Sequence, residues 1–466
     1  MTLSTASSIP EPALGEPQSE KIWSVGTLRY NQRQLIVVFF WLMWNDFSFK
    51  LIESIGSLGN FLILDQGGTY TQIALFGTIG GLITPWLNPW VSTWSDRHRG
   101  KMGRRRPFLF FSVPLFAVFL AITPYMPTLY HYLLRYPWMV TASAHFPMKG
   151  QVFFIGINVI ISGIFNAVFL AIFSYLYFDV VPEALLGRFN ALNANVGLIA
   201  GLVWSFWIFG LADHHMKAVY VGTALFSLTV YLLSVWKIKE GEYPPPDKHT
   251  KGGVFAPIRA YFVECFSDGY YLWVFVALFF AQVGNKGNDY QQYYLHYDLK
   301  LDLATIGWAS GWTQAITFGF GILCGFIVGM MTDKLKPVRL MAGIYLVEAL
   351  AEWGSFFFVH DKWTWLISFS VVSLIRFVLG VVFSAFVVQI FPREKLGQFC
   401  SAQAVFYQFP LVFLTIFIAK YFDFVHNNRV SFLWDAIFYF IAALAYAKVH
   451  LNWNRKHGRT PVPHAG

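Results

Sequence analysis

The side chains able to do chemistry in this chain are charges and amides set inside long apolar runs. Asp46, Lys50 and Glu53 fall in one such run. At helical periodicity they lie within about 60° of one another, and Ser57 and Asn60 extend the same stripe. Gln282, Asn285, Asp289, Gln292 and His296 share a face of a second run, with Lys286 beside it and Gly284 and Gly287 able to break the helix. Arg376 sits near the centre of a third. A charge at mid-membrane costs roughly 3 kcal/mol on insertion scales, so such residues face a bundle interior or a water-filled cavity. Two kinds of chemistry follow: hydrogen bonding of a polar solute by the amides and Asp289, and proton carriage by a carboxylate in a low-dielectric site.

The spacing predicts an Asp46–Lys50 pair at i,i+4, which leaves Glu53 as the less clearly paired acid. Lys286 and Asp289 can pair locally. Arg376 needs an acid. Asp289, Asp46 or Glu53 across a cavity would make it part of a binding site. Glu348 and Glu352 on the neighbouring run would make it structural. Trp41, Trp44, Trp308 and Trp312 could stack on a sugar ring. There is no phosphate-binding glycine loop, ordered metal-ligand spacing or nucleophile constellation, so neither an enzyme nor a bound cofactor is expected. Cys265, Cys324 and Cys400 are isolated, which predicts no disulfide framework. His214-His215 reads as a solvated loop pair.

The elements that must position these residues are transmembrane helices. Of 466 residues, 56% are hydrophobic and only 13% charged, against about 25% charged in soluble domains. The apolar residues come in blocks long enough to cross a bilayer. Twelve spans are predicted, near 34–63, 71–94, 107–126, 151–178, 188–212, 218–236, 269–297, 304–331, 338–359, 364–391, 398–420 and 431–450. Residues 1–33 read as a disordered cytoplasmic tail, 34–236 as an N-terminal six-helix half and 237–268 as a cytoplasmic linker. Residues 269–450 form the second half, and 451–466 a second cytoplasmic tail. Lys and Arg concentrate in the segments that share a side with both termini, which predicts cytoplasmic ends in a cell inner membrane. The net charge of +9 then reflects contact with anionic lipid and not with nucleic acid.

The halves repeat. Asp179-Val180-Val181-Pro182 through Gly187-Arg188-Phe189 matches Gln389-Ile390-Phe391-Pro392 through Gly397-Gln398-Phe399 at an offset of 210. Asp96 after span 2 corresponds to Asp333 after span 8 at an offset of 237, so the first half carries an insertion, visible near 127–150. Paired six-span halves point to a carrier with its site between them.

At these loops the chain resembles the major facilitator superfamily, and within it the glycoside–pentoside–hexuronide symporters and the sucrose/proton-symporter-like group. The resemblance rests on Asn88-Pro89 through Asp96-Arg97 to Gly103-Arg104-Arg105-Arg106-Pro107, and on Asp179 to Glu183 with Gly187-Arg188-Phe189-Asn190. Trp44-Asn45-Asp46-Phe47 with Glu53, and Tyr261 to Phe266, are similar to a bacterial branch. It implies an all-α membrane protein of two pseudo-symmetric six-helix halves, alternating access, a sugar or glycoside substrate and a coupling cation. It also implies a cavity lined by spans 1, 4, 7 and 10. Two departures bear on the cation. The stretch Thr84 to Pro89 has no carboxylate, and span 4 offers Asn158 and Asn166 but neither acid nor Arg. This favours a proton over sodium.

The expectation is a monomeric, proton-coupled importer in contact with membrane lipid. Asp46, Lys50, Glu53, Asn285, Asp289, Gln292 and Arg376 are its substrate and coupling residues. Asp96, Arg97, Gly103, Arg104, Arg188 and Asp333 are its cytoplasmic gate, with Asp96 pairing with arginine and capping a helix start. The same fold carrying a lysolipid, nucleoside or organic acid is the alternative, and a non-transporting membrane sensor is a third.

Overall fold

The computed structural model describes residues 22–100, 102–241, 266, 269–392 and 396–457. The twelve spans are there: span 1 Gln32–Asp65, span 2 Tyr70–Arg97, span 3 Arg106–Ile122, span 4 Gly150–Val180, span 5 Leu186–Val203 and span 6 Ala212–Lys237. The second half has span 7 in two pieces, Gly269–Asn285 and Asn288–Tyr293. Span 8 is Leu303–Leu335, span 9 Pro337–Phe358, span 10 Lys362–Ile390, span 11 Leu396–Val425 and span 12 Val430–His457. The protein is an all-α membrane protein of two six-helix halves.

Local chemistry sets the helix ends. Asn31, Thr69 and Asp361 each cap a span and close a capping box, satisfying N–H groups that a helix start leaves orphaned. Pro107 and Pro337 stand in the first turn of spans 3 and 9, where a missing N–H is harmless. The insertion in the first half folds into two short helices, Met126–Leu133 and Pro137–Ser143.

One expectation needs correction. The predicted tail does not run disordered to residue 33. Strands β1 (Trp23–Val25) and β2 (Leu28–Tyr30) pair antiparallel, Tyr30 is buried, and span 1 begins at Gln32. Aromatic and β-branched residues at alternate positions give this hairpin a face to bury. Span 6 ends at Lys237, and just beyond it Ile238 is buried and Glu240 reaches the start of span 3. Residues 1–21, 101, 242–265, 267–268, 393–395 and 458–466 lie outside the described residues.

The halves are joined through span 2 against span 11 and span 5 against span 8. The bonds between them gather at the end opposite the basic loop 98–105. There Asp423 accepts the N–H groups of Tyr70 and Thr71 and the Thr71 hydroxyl, at 2.8, 2.8 and 2.6 Å. Asp213 accepts the N–H groups of Leu303 and Ala304 at 3.2 and 3.1 Å. Tyr297 donates to Asp65 at 2.9 Å. An aromatic layer seals the same end: Phe61 meets Tyr293, Tyr70 stacks on Tyr293, and Tyr290 stacks on Phe422. One buried apolar cluster crosses between the halves here, whereas a second lies wholly within spans 7–12.

Candidate functional site

Between the halves lies a cavity of about 460 Å³, within the size range of small-molecule sites. Span 8 contributes Ser310, Thr313, Gln314 and Thr317, span 7 Gln292, span 5 Asn195, and span 10 Ser373, with Phe318, Phe369 and Phe377 as the aromatic walls. Among the described residues no charged side chain lines it. Thr313 and Thr317 donate to carbonyls one turn back, at 3.1 and 2.9 Å, which lets hydroxyls sit in an apolar helix at little cost. Gln314 Nε2 donates to Ser205 of the other half at 2.7 Å. A smaller cavity of about 170 Å³ lies within the N-terminal half, lined by Gly56, Asn60, Ser162, Asn166 and Tyr220 among others.

Of the seven residues expected at a substrate and coupling site, only Gln292 lines the larger cavity. Span 1 reverses the expected pairing. Lys50 binds Glu53 at 2.7 Å, both substantially exposed, and Asp46 has no ion pair among the described residues. The longer Lys50 and Glu53 side chains both reach water, while the short Asp46 is half-buried with Oδ2 sealed from solvent and without a hydrogen bond. Span 7 breaks where Gly284 and Gly287 were expected to allow it, between Asn285 and Asn288. Asn285 and Asp289 are exposed there, and Lys286 pairs with Asp289 at 3.5 Å. Trp44 packs on Phe47 and on Phe226 of span 6, so it serves packing between spans.

Arg376 does not reach across the cavity for its acids. Its guanidinium binds Glu348 at 2.8 Å and Glu352 at 3.1 Å on span 9. It also donates to Asn288 of span 7 at 3.2 Å and Tyr439 of span 12 at 3.3 Å. Gln291 extends the network, donating to Glu352 at 3.3 Å and to Asp435 of span 12 at 3.0 Å. Asp435 and Gln291 were not anticipated. A lone acid and a lone amide, each inside an apolar run, were the available signal.

The basic loop forms a second network. Asp96 bonds Arg105 at 3.1 Å and Arg104 at 3.7 Å. Asp179 at the end of span 4 bonds the same pair, at 2.5 and 2.8 Å. Glu240, also unanticipated, accepts the N–H groups of Arg104, Arg105 and Arg106 at 2.8, 3.0 and 2.7 Å. It is an N-terminal cap for span 3 brought from beyond span 6, as a carboxylate at a helix start should be. Gly103 takes φ +100, a conformation that side chains disfavour, and a Cβ there would press on the Glu240 carboxylate at 2.9 Å. Asp96 thus ties spans 2, 3 and 4 of one half together. Arg97, Arg188 and Asp333 are exposed and outside this network.

Comparison with known proteins agrees with this architecture. The family model of the Major Facilitator Superfamily matches residues 22–415. Among solved structures, a D-xylose–proton symporter aligns at TM-score 0.57 and 15% identity, covering 90% of this chain and 97% of that one. The nucleoside transporter NupG aligns at 0.62 and 11%, covering 90% and 99%. A bacterial homologue of the iron transporter ferroportin, in its inward-facing state, aligns at 0.61 and 12%, covering 90% and 98%. No curated protein matches the sequence. At such identities the structures speak for the fold, and the family match for membership. The chain is a multi-pass membrane transporter that belongs to the Major Facilitator Superfamily.

Proposed function

We propose that this transporter imports a neutral sugar or glycoside together with a proton, as a monomer in the cell inner membrane with both termini in the cytoplasm. The observation that carries the reading is the uncharged lining of the cavity between the halves. Gln292, Gln314, Asn195 and the hydroxyls of Ser310, Thr313, Thr317 and Ser373 offer paired donors and acceptors, beside the faces of Phe318, Phe369 and Phe377. Hydroxyl-rich solutes need that mixture. An organic acid or a metal ion needs opposite charge in the wall.

On this reading the basic loop faces the cytoplasm, the bonds at Asp213 and Asp423 close the outer side, and the conformation is inward-facing. Rocking of the halves exchanges access. Outward opening requires the helix caps at Tyr70 and Leu303 and the Phe61–Tyr293 layer to part, while the cytoplasmic halves of the spans come together. The Asp96–Arg105–Asp179 network keeps the N-terminal half rigid during that motion.

The test is a thermal-shift screen of the purified protein against monosaccharides, disaccharides and glycosides, with nucleosides and organic acids as comparison sets. Stabilisation by a sugar or glycoside, weakened by Gln314→Ala and Gln292→Ala, supports the reading. Stabilisation by organic acids alone would remove it.

A further inference from the structure

Two carboxyl groups bind one guanidinium in the second half, and a third joins them through an amide. Glu348, Glu352 and Asp435 are each no more than 1% exposed; Arg376 pairs with the first two, and Gln291 bridges Glu352 to Asp435. The other charged and titratable groups around them are few. Span 9 adds Tyr345 and span 12 adds Tyr439 and Tyr446, while span 7 presents Asp289, which pairs with Lys286. With all three acids ionised the cluster would hold two uncompensated negative charges inside the membrane, an arrangement a fold does not sustain.

The hydrogen bonds give independent evidence of a missing donor. Gln291 Oε1, Asp435 Oδ1 and Glu348 Oε2 are buried acceptors with no partner among the described residues. Buried acceptors in native structures are almost always paired. A carboxylic acid O–H is a donor of the kind these acceptors can take.

Resting on the proton-coupled reading above, we propose that the Glu348–Glu352–Asp435 cluster around Arg376 is the proton-binding site of the transporter, and that the short segment Asn288–Tyr293 links its occupancy to the outer gate. One face of that segment holds the cluster: Asn288 accepts from Arg376, and Gln291 bridges Glu352 and Asp435. The other face is the gate, with Tyr290 against Phe422 and Tyr293 against Tyr70 and Phe61. The break after Asn285 gives the segment a pivot. Arg376 is 22% exposed, and its neighbours Ser373 and Phe377 line the central cavity, which gives the cluster a path toward water.

The step is a simple protonation. A carboxylate takes up a proton from the outer side and becomes a neutral acid. The neutral cluster tolerates the dry, closed packing, whereas the ionised cluster favours a conformation that admits water. Protonation therefore closes the outer gate, and release through the cavity completes import.

The test needs no identified substrate. Spin labels at Thr69→Cys and Asn427→Cys, in a background with Cys265, Cys324 and Cys400 replaced by Ser, report the distance across the outer gate in proteoliposomes. The distance should lengthen as pH rises in the parent protein. In Asp435→Asn and in Glu352→Gln it should stay fixed, and the infrared carbonyl band of a buried carboxylic acid should weaken. Should Asp435→Asn fail to fold, Glu352→Gln and Glu348→Gln carry the test. An unchanged pH response in the folded variants overturns the proposal. So does its abolition by Asp46→Asn alone, although proton coupling itself would then survive at another site. If the cluster variants abolish the response and no sugar is transported, the proton site stands and the cargo assignment falls.

Discussion

Asp213 and Asp423 stand 210 residues apart, and each caps the first turn of a helix in the opposite half. Asp213 receives the N–H groups of Leu303 and Ala304, and Asp423 those of Tyr70 and Thr71. The offset is the one that relates the Pro-Gly loops after spans 4 and 10. The pseudo-symmetry of the halves is therefore expressed in the bonds that close the end opposite the basic loop. An acid at a helix N-terminus contributes about 0.3–1 kcal/mol where exposed and up to about 2 kcal/mol where partly buried. Asp213→Asn and Asp423→Asn should each raise the outward-open population several-fold. Labelling of outer-gate cysteines by an impermeant maleimide checks this, and the double variant should be more open than either single one.

Gly287 makes room for Asp435, whose carboxylate occupies the space where a Cβ on the glycine would lie. Its backbone is helical, so the requirement is for space and not for an unusual φ. Gly287→Ala should lower stability by about 1–3 kcal/mol, the usual range for overpacking. Thermal unfolding in detergent measures the loss. Shortening the partner in Gly287→Ala/Asp435→Ala should relieve the contact with the carboxylate and leave only the Ser431 carbonyl at 2.9 Å, making the two changes less than additive.

Glu240 and Gly103 form one unit at the start of span 3. Glu240→Ala removes the acceptor for three N–H groups and should cost about 1–2 kcal/mol, as loss of a cap does. Glu240→Gln should cost less, since the amide oxygen still accepts. Gly103→Ala places a side chain at positive φ and against the carboxylate, at about 1–3 kcal/mol. Melting temperatures of the three variants provide the check.

Much of this fold was legible in the sequence, because span length, loop charge and the break at Gly284–Gly287 are written locally. The partners across spans were not. Helical periodicity places Asp46, Lys50 and Glu53 on one face, but it does not say which acid Lys50 takes. Arg376 near mid-span demanded an acid, yet Glu348 and Glu352 were distinguishable from Asp46 or Glu53 only once spans 9 and 10 were packed together. The cavity wall on span 8 left no trace, since Thr313 and Thr317 satisfy themselves on their own helix. Asp213, Asp423 and Glu240 cap helices far away in sequence, and no local pattern announces that.

Two helix caps outside the membrane confer a pH dependence of known sign. Asp302 is held below the usual carboxylate range, first by the Thr305 side chain and also by its N–H, and Asp361 first by the Thr364 N–H and then by its hydroxyl. With the folded-state value depressed, each contributes stability that is fully present above the ordinary aspartate range near about pH 4. That stability is lost as pH falls through the folded-state value. Asp302→Asn and Asp361→Asn should each flatten the acid limb of a stability-against-pH curve and leave its neutral region nearly parallel to the parent.

The central claim is that a proton gradient drives a neutral sugar or glycoside inward. Proteoliposomes with an acid exterior and a more alkaline interior, free of sodium, should accumulate the radiolabelled sugar that gives the largest thermal shift. Accumulation should collapse when a protonophore is added and be indifferent to sodium. Accumulation that follows a sodium gradient and ignores the pH gradient would contradict the account.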